Sequence, residues 1–550
     1  MSPCAWETGV VLGPEFKSSP ARLARLFRRS RDTWKERAAA KQRAVKKLRI
    51  TVRDLTESRD HWKDVARQQS QEIAALRAQL EQTREELSAA RRTQEGSCGG
   101  QLTPADLSAP TGHRHSLLVI RLCLLWYLDA HVSLRGVSEI LLSLVSILGD
   151  SLPLSLPYHQ TVRSWLLRCG LFLLRRRVPP RDDWVWILDH TIRIGQKKCL
   201  LILGASLDHL QAHPGALEHH QVVVLDLCVT AHSTGVDIDK RLKDLARRVG
   251  VPKQIVADHG SDLSKGVRLF QAANPVMADT YDVTHKLASL VKAELEADPR
   301  WAEFLRYCTS SLFQLQQSRG AFLTPPGPRS LERYLNVDRH TEWACRMLLL
   351  LEMPDKALVA ELLALDEEEA SSFLEEKLGW LRDFCHEVTR YGHLVEAVKR
   401  TEEEVKNHGL GRQTAARLWQ QLPVQLRRDS SLEGFFRSVK GYLKEEGSKV
   451  PVGQSWLGTS DVIESLFGKY KSFLEKSPEG EVGASVLALP LLTVDLTAEL
   501  IHEALLRVSV QDVRSWANDY LGPSILSKVC TLSAAVDQAT HASSDDTVSG

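Results

Sequence analysis

From about Ala21 to Arg92 the chain has neither Pro nor Gly, and its apolar residues recur at alternating steps of three and four. That spacing predicts one long helix. Val45, Leu48, Val52, Leu55, Trp62, Ile73, Leu76, Leu80 and Leu87 share the a and d positions of one heptad frame, interrupted by Lys41, Arg59, Gln69 and Thr83. A seam of that kind predicts a coiled coil over 21–92, behind a flexible stretch at 1–20, and most simply a homodimer. Gly, Pro, Ser and Thr then mark a linker over 93–113. Helical periodicity returns over 114–180, where residues 132–141 and 158–170 flank a Pro-bearing spacer and form a helix-turn-helix pattern. In its second helix Gln160, Thr161, Arg163 and Ser164 offer polar and cationic groups to a major groove, while Val162, Trp165, Leu166 and Leu167 turn inward. Any two amphipathic helices joined by a turn give a similar pattern.

The pattern changes after residue 181. Runs at 184–189, 198–205 and 221–230 are short, apolar and β-branched, and Trp184 and Trp186 alternate along the first as core residues. An amphipathic helix over 235–251 leads into a fourth strand at 254–257, and a further strand-like run spans 276–283. Three strands, a helix and a fourth strand open an RNase H-like α/β fold. The first three pair as an antiparallel meander, and the crossover helix returns the fourth parallel to the first. Residues 287–452 carry no strand signal and read as an all-helical insertion, whose acidic run from Asp366 to Glu369 faces solvent. The α/β core therefore comes in two parts, 181–286 and 453–530, followed by a disordered tail over 531–550.

Composition adds little to this division except through its distribution. The 550 residues carry a formal net charge of only +2, yet positive charge is concentrated in the first half of the coiled coil, from Arg22 to Arg49. Such a run is either a solvated helix face or a track for DNA phosphates. Ten cysteines are spread singly, without a zinc-type spacing, as expected of reduced thiols. The start of the chain lacks the features of a secretory signal, and no apolar run is long enough to span a membrane. These features predict a cytoplasmic protein.

Three acids stand out against this frame. Asp189 closes the first strand, Asp258 follows the fourth, and Glu464 lies in the first turns of a helix that Thr459 or Ser460 can cap. Two hard divalent cations need carboxylate oxygens from rigid elements, and acids on two neighbouring strands and a crossing helix meet that requirement. Asp262 competes with Asp258 as the second ligand, although its position also suits the first turn of a helix, where the dipole favours an acid. His190, His259 and His285 are candidates to surround the ions or assist a water, with polar turn filler as the alternative. Asp282 and His285 form a local pair expected near the site. Asp208 and Asp226 have no comparable context.

Asp189-His-Thr, Ala257-Asp258-His-Gly-Ser-Asp262 and Ser460-Asp-Val-Ile-Glu464 followed by Lys471 resemble the three signature regions of DDE transposases from bacterial insertion sequences, within the retroviral-integrase superfamily. The resemblance covers about residues 115 to 475 in order as well as motif. The separation of the second acid from the third, 464 − 258 = 206 residues, matches members with a helical insertion before the Glu. Leu457 and Ser460 stand where some relatives carry Tyr and Arg. The resemblance implies that Asp189, Asp258 and Glu464 bind two Mg²⁺ ions, with Mn²⁺ as a substitute, and catalyse cleavage of transposon ends and strand transfer into target DNA. It implies that Lys471, with Lys469 beside it, contacts end phosphates. Double-stranded DNA, as inverted repeats and as target, would be the partner, at the bacterial nucleoid. A domesticated DNA-binding protein without catalysis, and an RNase H-like nuclease or resolvase, are the other readings.

Overall fold

A computed structural model describes residues 103–149, 154–192, 197–213, 215–230, 232–327, 336–475, 483–522 and 527–536, with scattered helical residues between 22 and 46. The chain divides into two units, Met1–Gln101 and Leu102–Gly550. Apart from those scattered residues, the coiled coil expected over 21–92 lies outside the described residues, as do 1–20 and 537–550. Residues 527–536 are helical, so helix extends into the segment expected to be a disordered tail.

After the short helix Pro104–Leu107, the second unit continues with three longer helices, the first two started by serine caps. Ser116 caps α1 (Leu117–Leu128) by accepting from Val119 N, and Ser133 caps α2 (Leu134–Leu148) by accepting from Gly136 N. Helix α3 (His159–Arg175) runs five residues beyond the expected end, because Cys169, Leu171, Phe172 and Leu173 continue its buried face. Val162, Trp165, Leu166 and Leu167 are buried, whereas Gln160 is exposed and Thr161 and Arg163 are partly so. These helices share one apolar core with the sheet and with the C-terminal helices. Gly170 shows how close that packing is: a Cβ there would lie 1.8 Å from the carbonyl oxygen of Leu487, in the 3-10 run Ala484–Thr493.

Five strands form a mixed sheet of order β3-β2-β1-β4-β5. β1 (Trp184–Ile192), β2 (Lys198–Ser206) and β3 (Val223–Thr230) make the antiparallel meander. Helix α4 (Gly235–Val249) then crosses over, and β4 (Gln254–Ala257) joins β1 in parallel, with β5 (Ala278–Tyr281) parallel beyond it. The alternation of side chains sorts β1 between two cores. Trp184, Trp186 and Leu188 pack on α4 and α5 (Ser261–Ala273), and Val185 and Ile187 face the opposite core.

One boundary differs from the sequence reading. β1 does not end on Asp189 but continues to Ile192, because β2 keeps pairing with it as far as Lys198. What ends at the acid is the other neighbour: the β1–β4 pairing stops at Leu188 and Ala257.

Between β5 and the helix that carries Glu464, the described residues form helices joined by turns and no strand, with one isolated bridge between Leu410 and Trp456. They include α6 (Val283–Glu296), α7 (Pro299–Leu315), α8 (Val337–Glu352), α9 (Cys385–His408) and α10 (Glu433–Ser448). Their core is separate from that of the sheet and is rich in aromatic residues, with Trp301, Phe304, Phe384 and Tyr391 in mutual contact. Residues 366–369 are exposed. The chain then returns to the sheet in α11 (Asp461–Glu475), whose Val462, Ile463, Leu466, Phe467 and Tyr470 pack in the core that Val185 and Ile187 also face.

Candidate active site

Asp189 and Asp258 are the residues that follow the last β1–β4 pair, Leu188 and Ala257, so they leave adjacent parallel strands side by side. By the two-residue alternation Asp189 shares the face of Val185 and Ile187, and α11 covers that face. The consequence is electrostatic. Partial burial and the Asp258 carboxylate push the Asp189 carboxyl up to about 7, against the pull of the His190 backbone N–H and the His285 ring. The N–H of His190 donates to Asp189 Oδ1 at 2.6 Å, and the N–H of Gly260 donates to Asp258 Oδ1 at 2.9 Å.

Glu464 comes to this cluster through His285. The His285 Nε2 lies 3.0 Å from Glu464 Oε1, and both side chains are partly buried. His285 stands in the first turn of α6, whose N-cap is Asp282. Asp282 is almost wholly buried and ties three elements together. Its backbone N–H donates to Ala257 O at 3.0 Å, next to Asp258. One carboxylate oxygen accepts from His285 N at 2.7 Å, and the other accepts from Ser460 N at 2.6 Å and from Ser460 Oγ at 3.0 Å. Ser460 thus starts the Glu464 helix while bound to the residue that caps the His285 helix. Thr459 Oγ1 accepts from Asp461 N at 3.2 Å. A second buried tie comes from Gln254 on β4, whose Nε2 donates to Leu457 O at 2.6 Å and to Thr280 Oγ1 at 2.9 Å.

The neighbouring candidates take separate places. Asp262 is in the first turn of α5, 3.3 Å from Lys198 Nζ and 3.8 Å from His190 Nδ1. Burial alone would raise its pKa, but His190, the Leu263 N–H and Lys198 together hold it below the ordinary carboxylate value. Burial keeps His190 on the neutral side, with Asp262 opposing. His259 has a left-handed backbone (φ 58°), and its ring meets the neighbouring strand β5. Its Nε2 meets Asp279 Oδ1 at 2.9 Å, and the ring stacks on Tyr281 at 4.4 Å. Asp226 pairs with Arg241.

On α11, Lys471 lies seven residues after Glu464, on the same face at 100° per residue, and is exposed. Lys469 points elsewhere. Its Nζ is 3.2 Å from His219 Nδ1, and it lines a cavity of about 560 Å³ with Asp129, Asp461 and Ser465. Gln160, Thr161 and Arg163 occupy the first turn and a half of α3.

Asp282 and Gln254 are the positioning groups that sequence reading passed over, the first in part and the second wholly. Their bonds to Ser460 and Leu457 span 178 and 203 residues, and no local pattern announces such partners. Among the described residues, no three His, Cys, Asp or Glu side chains stand together as an ion cage. Asp189 and Asp258 adjoin, while Glu464 is turned to His285. The donor set nonetheless suits a hard cation. Two adjoining carboxylates, one held partly protonated near neutrality, are the arrangement whose repulsion a divalent ion relieves.

No family model matches the chain, and no curated protein does. Among solved structures the chain is similar to one described as a Drosophila P element transposase strand transfer complex. The TM-score is 0.35 and the identity 11%, over 75% of this chain and 100% of that one.

Proposed function

We propose that the chain is a DDE-type transposase with an RNase H-like core interrupted by a helical insertion, cutting DNA at transposon ends and joining them to target DNA. One observation carries the reading: Asp189 and Asp258 leave paired parallel strands side by side, with Glu464 tied to them through His285 and Asp282. The order and direction of the five strands support it.

In this reading both steps are in-line phosphoryl transfers at one site. Water attacks the phosphorus at the transposon end, the bond to the 3′ oxygen breaks, and that oxygen leaves as a hydroxyl. The hydroxyl then attacks a target phosphodiester and displaces the next 3′ oxygen. Asp189 and Asp258, on two strands fixed by their pairing, would hold the metal pair, Mg²⁺ or Mn²⁺, and Glu464 would complete the set from α11. Ions bound there would supply a lowered water pKa and charge neutralisation at the reacting phosphate. His285 orients the Glu464 carboxylate, and Asp282 fixes the start of the helix that carries it. Lys471, one face away from the protein core, meets end phosphates, and Gln160, Thr161 and Arg163 read the repeat. Two protomers joined through the basic coiled coil would hold two ends.

The test is cleavage and strand transfer on DNA flanking the gene that carries its inverted repeats, with Mg²⁺, Mn²⁺ or EDTA. Wild-type protein should release 3′ hydroxyl ends and join them to a second DNA, and Asp189→Asn, Asp258→Asn and Glu464→Gln should each abolish both. Repeat binding without metal-dependent cleavage would leave a DNA-binding protein instead. Cutting of four-way junctions with no preference for the repeats would leave a resolvase.

A further inference from the structure

Helix α5 presents two different surfaces beside Asp258. On one, Asp262 is held by Lys198 and His190. On the other, Ser261, Ser264, Lys265, Arg268 and Leu269 line an open cleft of about 520 Å³ with His259. Lys265 and Arg268 are exposed, and among the described residues neither forms a hydrogen bond or ion pair with the protein. Asp262, the nearest acid on the same helix, already pairs with Lys198 and His190.

His259, in the cleft lining, is the residue that links the cleft to the side of the acids. His259, directly after Asp258, stacks on Tyr281, and Lys286 Nζ stands 5.6 Å from the centre of the Tyr281 ring. Burial, above all, and the proximity of Asp258 and Asp282 raise the Tyr281 hydroxyl pKa, which sets that ring at the edge of the carboxylate cluster. A row of cations and serine hydroxyls, opening from the N-terminal end of a 13-residue helix, offers an anion both charge and donors.

We propose that the cleft of Ser261, Ser264, Lys265 and Arg268, continued by Lys286, binds backbone phosphates of the DNA strand next to the phosphodiester that enters the acid cluster. The proposal rests on the transposase reading for the identity of the strand. The chemistry it asks of the cleft is only phosphodiester recognition. Lys265 and Arg268 sit three residues apart and take consecutive positions along the backbone, while Lys286 meets it nearer to Asp258. Such contacts fix register and add affinity without selecting a sequence.

Charge can be removed here without disturbing the fold. The Lys265 stem packs over Gly235, where an added Cβ would come within 2.6 Å of Lys265 Cβ and Cγ, so Lys265→Met keeps the packing and removes the ammonium. The experiment measures fluorescence anisotropy of a labelled mixed-sequence duplex with full-length protein over a salt series. Lys265→Met/Arg268→Gln is compared with the charge-conserving pair Lys265→Arg/Arg268→Lys and with Lys399→Ala, an exposed lysine of the insertion. The neutral pair should flatten the slope of log affinity against log salt by about 1.8, since each phosphate that a side chain neutralises contributes about 0.9. The other two variants should keep the wild-type slope, and all three should melt as wild type does. An unchanged slope in a folded neutral pair overturns the proposal, even where Asp189-dependent cleavage stands. A flattened slope upholds it for DNA backbone, even if wild-type protein fails the cleavage assay and the transposase reading falls.

Discussion

The Nε2 of His285 lies 3.0 Å from Oε1 of Glu464, although 179 residues separate them in sequence. The bond joins the first helix of the insertion to the helix that follows it, so the third acid is aimed by a residue that follows the second by 285 − 258 = 27 positions. His285→Ala should leave the fold intact and lower metal-dependent cleavage by about 10- to 100-fold, the range found for outer partners of metal ligands. A merely structural role would not shift the metal requirement. Titration of activity against Mg²⁺ should therefore show a raised half-saturating concentration in His285→Ala and partial recovery in His285→Gln.

Asp189 gives the chain a pH signature. Its folded pKa of about 7 is raised above the ordinary 3.8, by burial first and by Asp258 second. Between those two values the folded chain holds a proton that the unfolded chain has released. The stabilisation from the protonated group is thus full below the unfolded value and is lost as the pH rises through the folded one. Asp189→Asn removes this dependence. Without metal, the variant should equal wild type near pH 4 and exceed it near pH 8, by about 1–3 kcal/mol after discounting for partial solvent access. Added Mg²⁺ should raise the melting temperature of wild type and not that of the variant. Equal pH profiles for the two proteins would contradict the assignment.

Asp282 is a test of how the two parts of the core are held together. Its carboxylate accepts from His285 N, Ser460 N and Ser460 Oγ in a buried setting, and an amide can offer an oxygen to only one side of that set. Asp282→Asn should place an NH₂ group against at least one donor and cost about 1.5–3 kcal/mol, read as a lower denaturant midpoint. Ser460→Ala removes only the hydroxyl and should cost about 1 kcal/mol. If cleavage falls in proportion to that loss of anchoring, the start of α11 sets the geometry of Glu464.

The sheet and its acids are legible in the sequence because the signal is local. A short, continuous apolar run marks β1, and short β-branched runs mark its partners, so Asp189 and Asp258 can be assigned to strand ends before any pairing is known. The overrun of β1 to Ile192 is not legible, since it depends on how far β2 continues to pair. His259 adjoins Asp258 in sequence, yet its left-handed backbone turns it to Asp279, and only the turn geometry reveals this. The helix-turn-helix pattern is ambiguous for a related reason. The buried face of α3 serves the common core of the unit, and Gly170 against Leu487 shows that core reaching a segment more than 300 residues away. Asp282 is visible as half of a local pair with His285, but its bonds to Ser460 belong to the tertiary fold.

Lys469 and Lys471 are separated by one residue and by most of a half-turn of helix, and function should separate them as well. Lys471 follows Glu464 by seven residues and shares its face, where DNA entering the acid cluster would pass. Lys469 faces the cavity beside His219, and His219 in turn meets Ser465 at 3.0 Å. Lys471→Ala should therefore weaken DNA binding and flatten its salt slope by about 0.9, the share of one neutralised phosphate, and lower cleavage with it. Lys469→Ala should leave the slope unchanged. Burial, the first cause, and Lys469, the second, both lower the His219 pKa, so the substitution should raise that value. NMR titration of the histidine ring reads the second effect, and anisotropy over a salt series reads the first. A flattened slope in Lys469→Ala with none in Lys471→Ala would reverse the two roles and place the DNA on the other face of α11.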